Sequence, residues 1–158
     1  MPPSASKQSQ DVERILRKKL KGGTFGNVTP VRSASMRAVR SSGNKSTELR
    51  FRMALVRRGI FGWVLHPRDM PGSPDVYFPI SRLAVFLDGC FWHGCPRCGH
   101  VPQTNRGFWA LKIQRNRERD RKKRRALRRL GISVVQFWEH QLQADVSRCV
   151  GRILSLIK

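Results

Sequence analysis

An α/β domain, with a mixed sheet flanked by helices, is the architecture this sequence predicts. Three observations predict it. Apolar periodicity falls in the order helix, three short strands, helix, strand, helix along the chain. Two of the strands, Asp75 to Phe78 and Leu83 to Leu87, are separated only by a turn at Pro79 to Ser81, which joins them as a hairpin. A long helical stretch then precedes the last strand, and such a crossover returns the chain parallel to its neighbour.

The elements follow in chain order. A length of 158 residues suits one domain, expected over 31–158. Residues 1–30 are basic, polar and Gly-rich around Lys21-Gly22-Gly23. Val12, Ile15, Leu16 and Leu20 fall near one face of a short helix, but the composition favours a flexible arm attracted to phosphates. Met36 and Val39 lie among Arg32, Arg37, Arg40 and Lys45. Apolar residues set among basic ones can follow a minor groove and wedge into it, though the composition fits a linker equally well.

Ser46 is a good N-cap for the first helix of the domain. Leu49, Met53, Val56 and Ile60 supply its expected apolar stripe. Glu48 lies in its first turn, where a carboxylate complements the helix N-terminus. Gly59 or Gly62 ends it, Trp63 to Leu65 forms a short strand, and Asp69 to Pro74 is a loop. Residues 99–107 are also loop. The long helix runs from Gly107 to Leu130 and stops at Gly131. Trp109, Ile113, Leu127 and Leu130 mark its apolar side, together with Asn116 and Asp120. The run Arg121 to Arg125 favours phosphate contact. Ile132 to Trp138 is an apolar strand. Leu142, Val146, Cys149, Val150, Ile153 and Ile157 stripe a final helix, with Cys149 as a core residue.

Charge narrows the function. The chain carries 32 Lys and Arg against 10 Asp and Glu, a net charge of +22. An excess of that size points to a polyanion, with nucleic acid as the default. A ribosomal or packaging protein is the non-catalytic alternative. Three of the four cysteines fall within Cys90 to Cys98, a spacing for metal rather than a disulfide frame. The N-terminus lacks the apolar segment of a secretion signal, and no apolar run approaches membrane-spanning length. A reducing, cytoplasmic setting without membrane contact is expected.

The chemistry concentrates in Leu87 to Cys98, directly after the apolar strand. Cys90, Cys95 and Cys98 form C-x4-C-x2-C, and zinc wants a fourth nitrogen or sulfur ligand. His100 and His140 compete for that place. Four protein ligands would close the site, making it structural. Asp75, after Pro74, is a hard carboxylate suited to Mg²⁺. Leu87 can offer only its backbone carbonyl. Asp88 is either a further ligand or a turn residue before Gly89. His93 can act as a proton acceptor or donor. An acid at one strand start, beside a second strand with more ligands, is the plan of the restriction-endonuclease-like nucleases.

Several blocks of residues carry a closer likeness: Met36-Arg37-Ala38, Pro71-Gly72-x-Pro74-Asp75, Asp88-Gly89-Cys90-Phe91-Trp92-His93-Gly94-Cys95-Pro96, Phe108-Trp109-x-x-Lys112-Ile113, Asn116-x-x-Arg119-Asp120 and Trp138-Glu139. In these the chain resembles the very-short-patch-repair DNA mismatch endonucleases of bacteria. The resemblance implies nicking of one DNA strand 5′ to the thymine of a T·G mismatch, the product of 5-methylcytosine deamination. It implies that Asp75 and the Leu87 carbonyl bind Mg²⁺, that His93 is catalytic, and that Glu48 acts on metal-bound water. Phe91, Trp92 and Trp109 match aromatics that wedge beside the mismatch from the major groove. Met36, Arg37 and Val39 match the arm that enters the minor groove. His140 matches the fourth zinc ligand. Asp88 stands where some relatives have histidine. A monomer that meets mismatch-repair proteins is implied by the resemblance alone. The other readings are a nuclease for another lesion or for defence, and a zinc-stabilised DNA-binding protein without catalysis.

Overall fold

The computed structural model describes residues 45–157 together with Thr29 and Val31. The helix expected over 11–20, the domain boundary near residue 30, and Met36, Arg37 and Val39 lie outside the described residues. Within them the elements are α1 (Lys45–Arg57), β1 (Val64–Leu65), β2 (Val76–Phe78), β3 (Leu83–Asp88), α2 (Arg106–Arg129), β4 (Ser133–Trp138) and α3 (Glu139–Leu156).

The four strands form one sheet in the order β1-β2-β3-β4. β1 with β2 and β2 with β3 are antiparallel, and β3 with β4 is parallel, as the hairpin and the crossover require. The register sets Val76 opposite Val85 and Leu87 opposite Phe137. β3 is the central element. Five of its six residues are buried, because both sheet faces are covered. Leu83 and Val85 turn to one face, where Phe51, Leu55, Phe137, Leu142, Val150 and Ile153 pack from α1, β4 and α3. Ala84 and Phe86 turn to the other, against Leu127 and Ile132. Period-2 alternation thus gives each face its own helical cover.

The first helix departs from its expected stripe. Leu49, Met53 and Val56 are 54%, 46% and 44% exposed, and the buried side is Phe51, Ala54 and Leu55, with Thr47. Ile60, past the helix end, is buried as expected. Both sets have helical spacing, so periodicity could not choose between them. The larger gain is burying Phe51, whose ring centroid lies 5.9 Å from that of Phe137. In α2, Ile113, Asn116 and Leu127 are buried as expected, Phe108 joins them, and Leu130 is exposed. Leu130 sits where the helix ends and the chain reverses at Gly131, whose φ of 71° suits glycine. No helix among the described residues is long and apolar enough to cross a membrane.

Candidate active site and metal centre

Asp75 stands just before β2. Extending the β2–β3 register by two residues brings Pro74 opposite Leu87. Proline has no N–H to offer there. The Leu87 N–H instead donates to Asp75 Oδ2 at 2.7 Å. A strand residue directs its N–H and C=O to the same side, so the Leu87 carbonyl shares this edge with Asp75. Burial pushes the Asp75 carboxyl up from 3.8 to about 6. The Leu87 amide and His66 oppose that rise, and the negative neighbours Asp88 and Glu48 add to it.

His66, which carried no sequence signal, completes this group. The β1–β2 register pairs Leu65 with Val76, which places His66 across from Asp75. The His66 N–H donates to the Asp75 carbonyl at 3.4 Å. Its ring Nε2 lies 3.2 Å from both oxygens of Glu48, and Nδ1 lies 3.9 Å from Asp75 Oδ1. Glu48, Asp75 and His66 each place a ligand atom within 4.8 Å of the others. Strand pairing joins His66 to Asp75 and the placement of α1 brings in Glu48, so nothing local in the chain announced the group.

His93 and Asp88 form a second cluster with Asp120 of α2. His93 Nδ1 is 2.6 Å from Asp120 Oδ2 and 3.9 Å from Asp88 Oδ1. A carboxylate on Nδ1 fixes the proton there and leaves Nε2 as the basic nitrogen. Burial would raise Asp120, but the hydrogen bond and charge of His93, with Arg124 and Lys123, hold it below its ordinary range. Asp88 is buried, which raises its carboxyl, while His93 and Arg124 pull it back. Asp88 groups with His93 and Asp120 rather than with Glu48, His66 and Asp75. Consecutive residues of a strand face opposite ways, and Asp88 lies on the α2 side, paired with Arg124 and accepting from Gln136 Nε2 at 2.7 Å. This also corrects the reading of Arg124 as a phosphate contact. Its guanidinium is committed to Asp88 and Gln136 and lies over the Phe86 ring, whereas Arg121 and Lys122 are exposed.

The loop after β3 gathers Cys90, Cys95, Cys98 and His140. His140 Nδ1 lies 3.3, 3.6 and 3.3 Å from the three sulfurs, and Cys95 Sγ is 3.7 Å from Cys98 Sγ. Tetrahedral zinc with ordinary bond lengths needs edges of about 3.6 Å for S···N and about 3.8 Å for S···S. The donor set therefore fits a closed structural zinc site. Burial pushes the Cys90 thiol up to about 12, a group that a divalent cation would have to deprotonate. His100 lies outside the cluster, with its ring 5.8 Å from Phe91. The loop is tied at several points. The Cys90 N–H donates to Glu139 Oε2, and Asn116 Nδ2 donates to the Trp92 carbonyl at 2.9 Å. At Gly94 (φ 64°) a Cβ would stand 2.7 Å from Ile113 Cγ2, so only glycine lets the loop meet α2.

Phe91, Trp92, Phe108 and Trp109 pack edge to face, with centroids 5.1 to 5.9 Å apart. Trp92 is 8% exposed, and its indole N–H has no hydrogen-bond partner. Phe91 and Trp109 keep partly exposed faces. The Lys112 ammonium lies 5.3 Å from the Trp92 ring centre, 5.6 Å from Phe108 and 5.8 Å from Trp109. Burial lowers the Lys112 pKa, and the charge of Arg119 adds to the effect.

Comparison with known proteins meets this arrangement. The family model described as DNA mismatch endonuclease Vsr matches residues 28–98. A type II nicking enzyme, V.NaeI, of Lentzea aerocolonigenes is 40% identical over 123 residues, 75% of this chain and 74% of that one. A second, V.XorIIP of Xanthomonas oryzae pv. oryzae, is 40% identical over 95 residues, 59% and 68% of the two chains. The DNA mismatch endonuclease Vsr of Escherichia coli (strain K12) is 35% identical over 114 residues, 71% of each chain.

Proposed function

Because the chain belongs to the Vsr family of DNA mismatch endonucleases, and so is a DNA strand-nicking endonuclease, we propose that it nicks duplex DNA 5′ to the T of a T·G mismatch. The lesion is the product of 5-methylcytosine deamination, and the process is very short patch repair in the bacterial cytoplasm. One observation carries the reading: at the C-terminal end of β3 the Leu87 amide binds Asp75, while the next residue, Asp88, groups with the His93–Asp120 pair. An acid for a cation and an imidazole for a proton thus flank one strand end.

Asp75, Glu48 and the Leu87 carbonyl would hold Mg²⁺. They fit it, because a buried carboxyl and a carbonyl without a strand N–H opposite are hard oxygen donors. The chemistry a bound Mg²⁺ supplies is charge stabilisation at the phosphate and a more acidic water. His93 Nε2 transfers a proton at the scissile phosphate while Asp120 holds the Nδ1 proton and the ring angle. Glu48 would act on the water bound there. Cys90, Cys95, Cys98 and His140 would hold zinc, which would fasten the loop that carries His93.

Phe91, Trp92 and Trp109 supply the wedge. Opening a base step costs a few kcal/mol, and stacking returns about 1–3 kcal/mol per base. That cost is lowest at a poorly stacked T·G pair, which turns flexibility into selectivity. Met36, Arg37 and Val39 enter the minor groove on the other side. The protein acts as a monomer and contacts the mismatch-repair proteins. The names of the nicking-enzyme relatives favour a second reading, a nicking enzyme with another target. Labelled T·G and matched duplexes of one sequence test the choice. Nicking of the T·G duplex alone, immediately 5′ to T, supports repair; equal nicking of both rejects it.

A further inference from the structure

We propose that His66 is a nitrogen ligand of the divalent cation held by Glu48 and Asp75, and that the site therefore favours Mn²⁺ over Mg²⁺. The inference rests on the reading that Asp75 holds that cation. Its ground is position. His66 is fixed opposite Asp75 by strand register and by the 3.4 Å bond from its N–H to the Asp75 carbonyl. Its φ of 44° lies in the left-handed region, uncommon for a residue with a side chain. The ring then lies between the two acids, with Nε2 3.2 Å from each Glu48 oxygen and Nδ1 3.9 Å from Asp75 Oδ1.

Glu48, His66 and Asp75 each offer one ligand atom, all within 4.8 Å of one another. Octahedral bonds near 2.1 Å set opposite ligands about 4.2 Å apart, so small side-chain rotations bring all three onto one cation. The ring is half-exposed, so a cation can reach it from solvent. The other imidazole near this strand end, His93, belongs to the separate group with Asp88 and Asp120. Ligand identity then sets preference. Mg²⁺ favours an all-oxygen shell with several waters, whereas imidazole is a better ligand for first-row transition ions. A two-carboxylate site with one imidazole accordingly discriminates for Mn²⁺.

The test uses the full-length, zinc-loaded protein without DNA, with Mn²⁺ as the probe. Bound Mn²⁺ is read by electron paramagnetic resonance, its ligands by spin-echo modulation from nitrogen, and Mg²⁺ affinity by competition. Wild type should show modulation from a coordinated imidazole. His66→Gln keeps a polar side chain beside Glu48 but removes the imidazole. It should lose the modulation and weaken Mn²⁺ at least about tenfold, with a smaller loss for Mg²⁺. Persistent modulation, equal weakening of both ions, or wild type that binds no Mn²⁺ would overturn the proposal. Asp75→Asn separates the premise from the inference: it should abolish binding of both ions, and binding that survives it rejects Asp75 as the anchor.

Discussion

Asp75→Asn should make the metal-free protein more stable while removing its nicking activity. The magnitude comes from burial. The folded carboxyl titrates at about 6 against 3.8 for an ordinary aspartate. Its folded pKa is raised, so the native state holds this proton more tightly than the unfolded chain. The favourable contribution is complete below 3.8 and is lost as the pH climbs through about 6. Above that, the ionised form costs the fold about 3 kcal/mol, at 1.36 kcal/mol per pKa unit. Asparagine does not titrate, and its side-chain oxygen can still accept from the Leu87 N–H. For a chain of this size the gain corresponds to a Tm rise of about 6–12 °C at about pH 7.5. At about pH 5, roughly half of it should remain. Thermal melts of both proteins, stripped of Mg²⁺ by a weak chelator that spares zinc, give the comparison. Adding Mg²⁺ should raise the Tm of wild type and leave Asp75→Asn unchanged. A variant no more stable than wild type near neutrality, or a difference that does not shrink on acidification, would refute the burial argument. Full nicking activity would remove Asp75 from the mechanism.

Three further outcomes are expected. Asp120→Asn and His93→Ala should each lower turnover, the latter by about 10²–10⁴-fold, with DNA affinity retained; an equal loss of affinity would make His93 a DNA contact. Cys95→Ser and His140→Ala should lose zinc by metal analysis and unfold at lower temperature, whereas His100→Ala should keep one zinc per chain; loss from His100→Ala would reassign the fourth ligand. Arg121→Ala with Lys122→Ala should flatten the salt dependence of DNA binding, about 0.9 in slope per lost phosphate contact, without changing Tm. Arg124→Ala should behave oppositely, leaving the slope alone and lowering Tm because Asp88 remains buried without its partner.

The sequence alone determined the order of the elements, the hairpin and the parallel return of β4. Turn residues and apolar runs are local signals, and the crossover follows from chain geometry. It also pointed to the cluster of Cys90, Cys95, Cys98 and His140. Three cysteines within Cys90 to Cys98 leave few other readings, and the matching blocks brought in His140. Two decisions belonged to the tertiary structure. One was which side of α1 is buried, since Leu49, Met53 and Val56 have the same helical spacing as the Phe51 side. There the fit of Phe51 against Phe137 decided, a contact between residues far apart in the chain. The other was which titratable groups meet. Asp88 and Leu87 are neighbours in sequence, yet strand alternation sends Asp88 to Arg124 and His93, while the Leu87 amide binds Asp75. His66 reaches Asp75 through the pairing of β1 with β2, and Glu48 through the placement of α1. Periodicity reports the environment of a residue along its own element, but register and packing decide which distant charge stands opposite it.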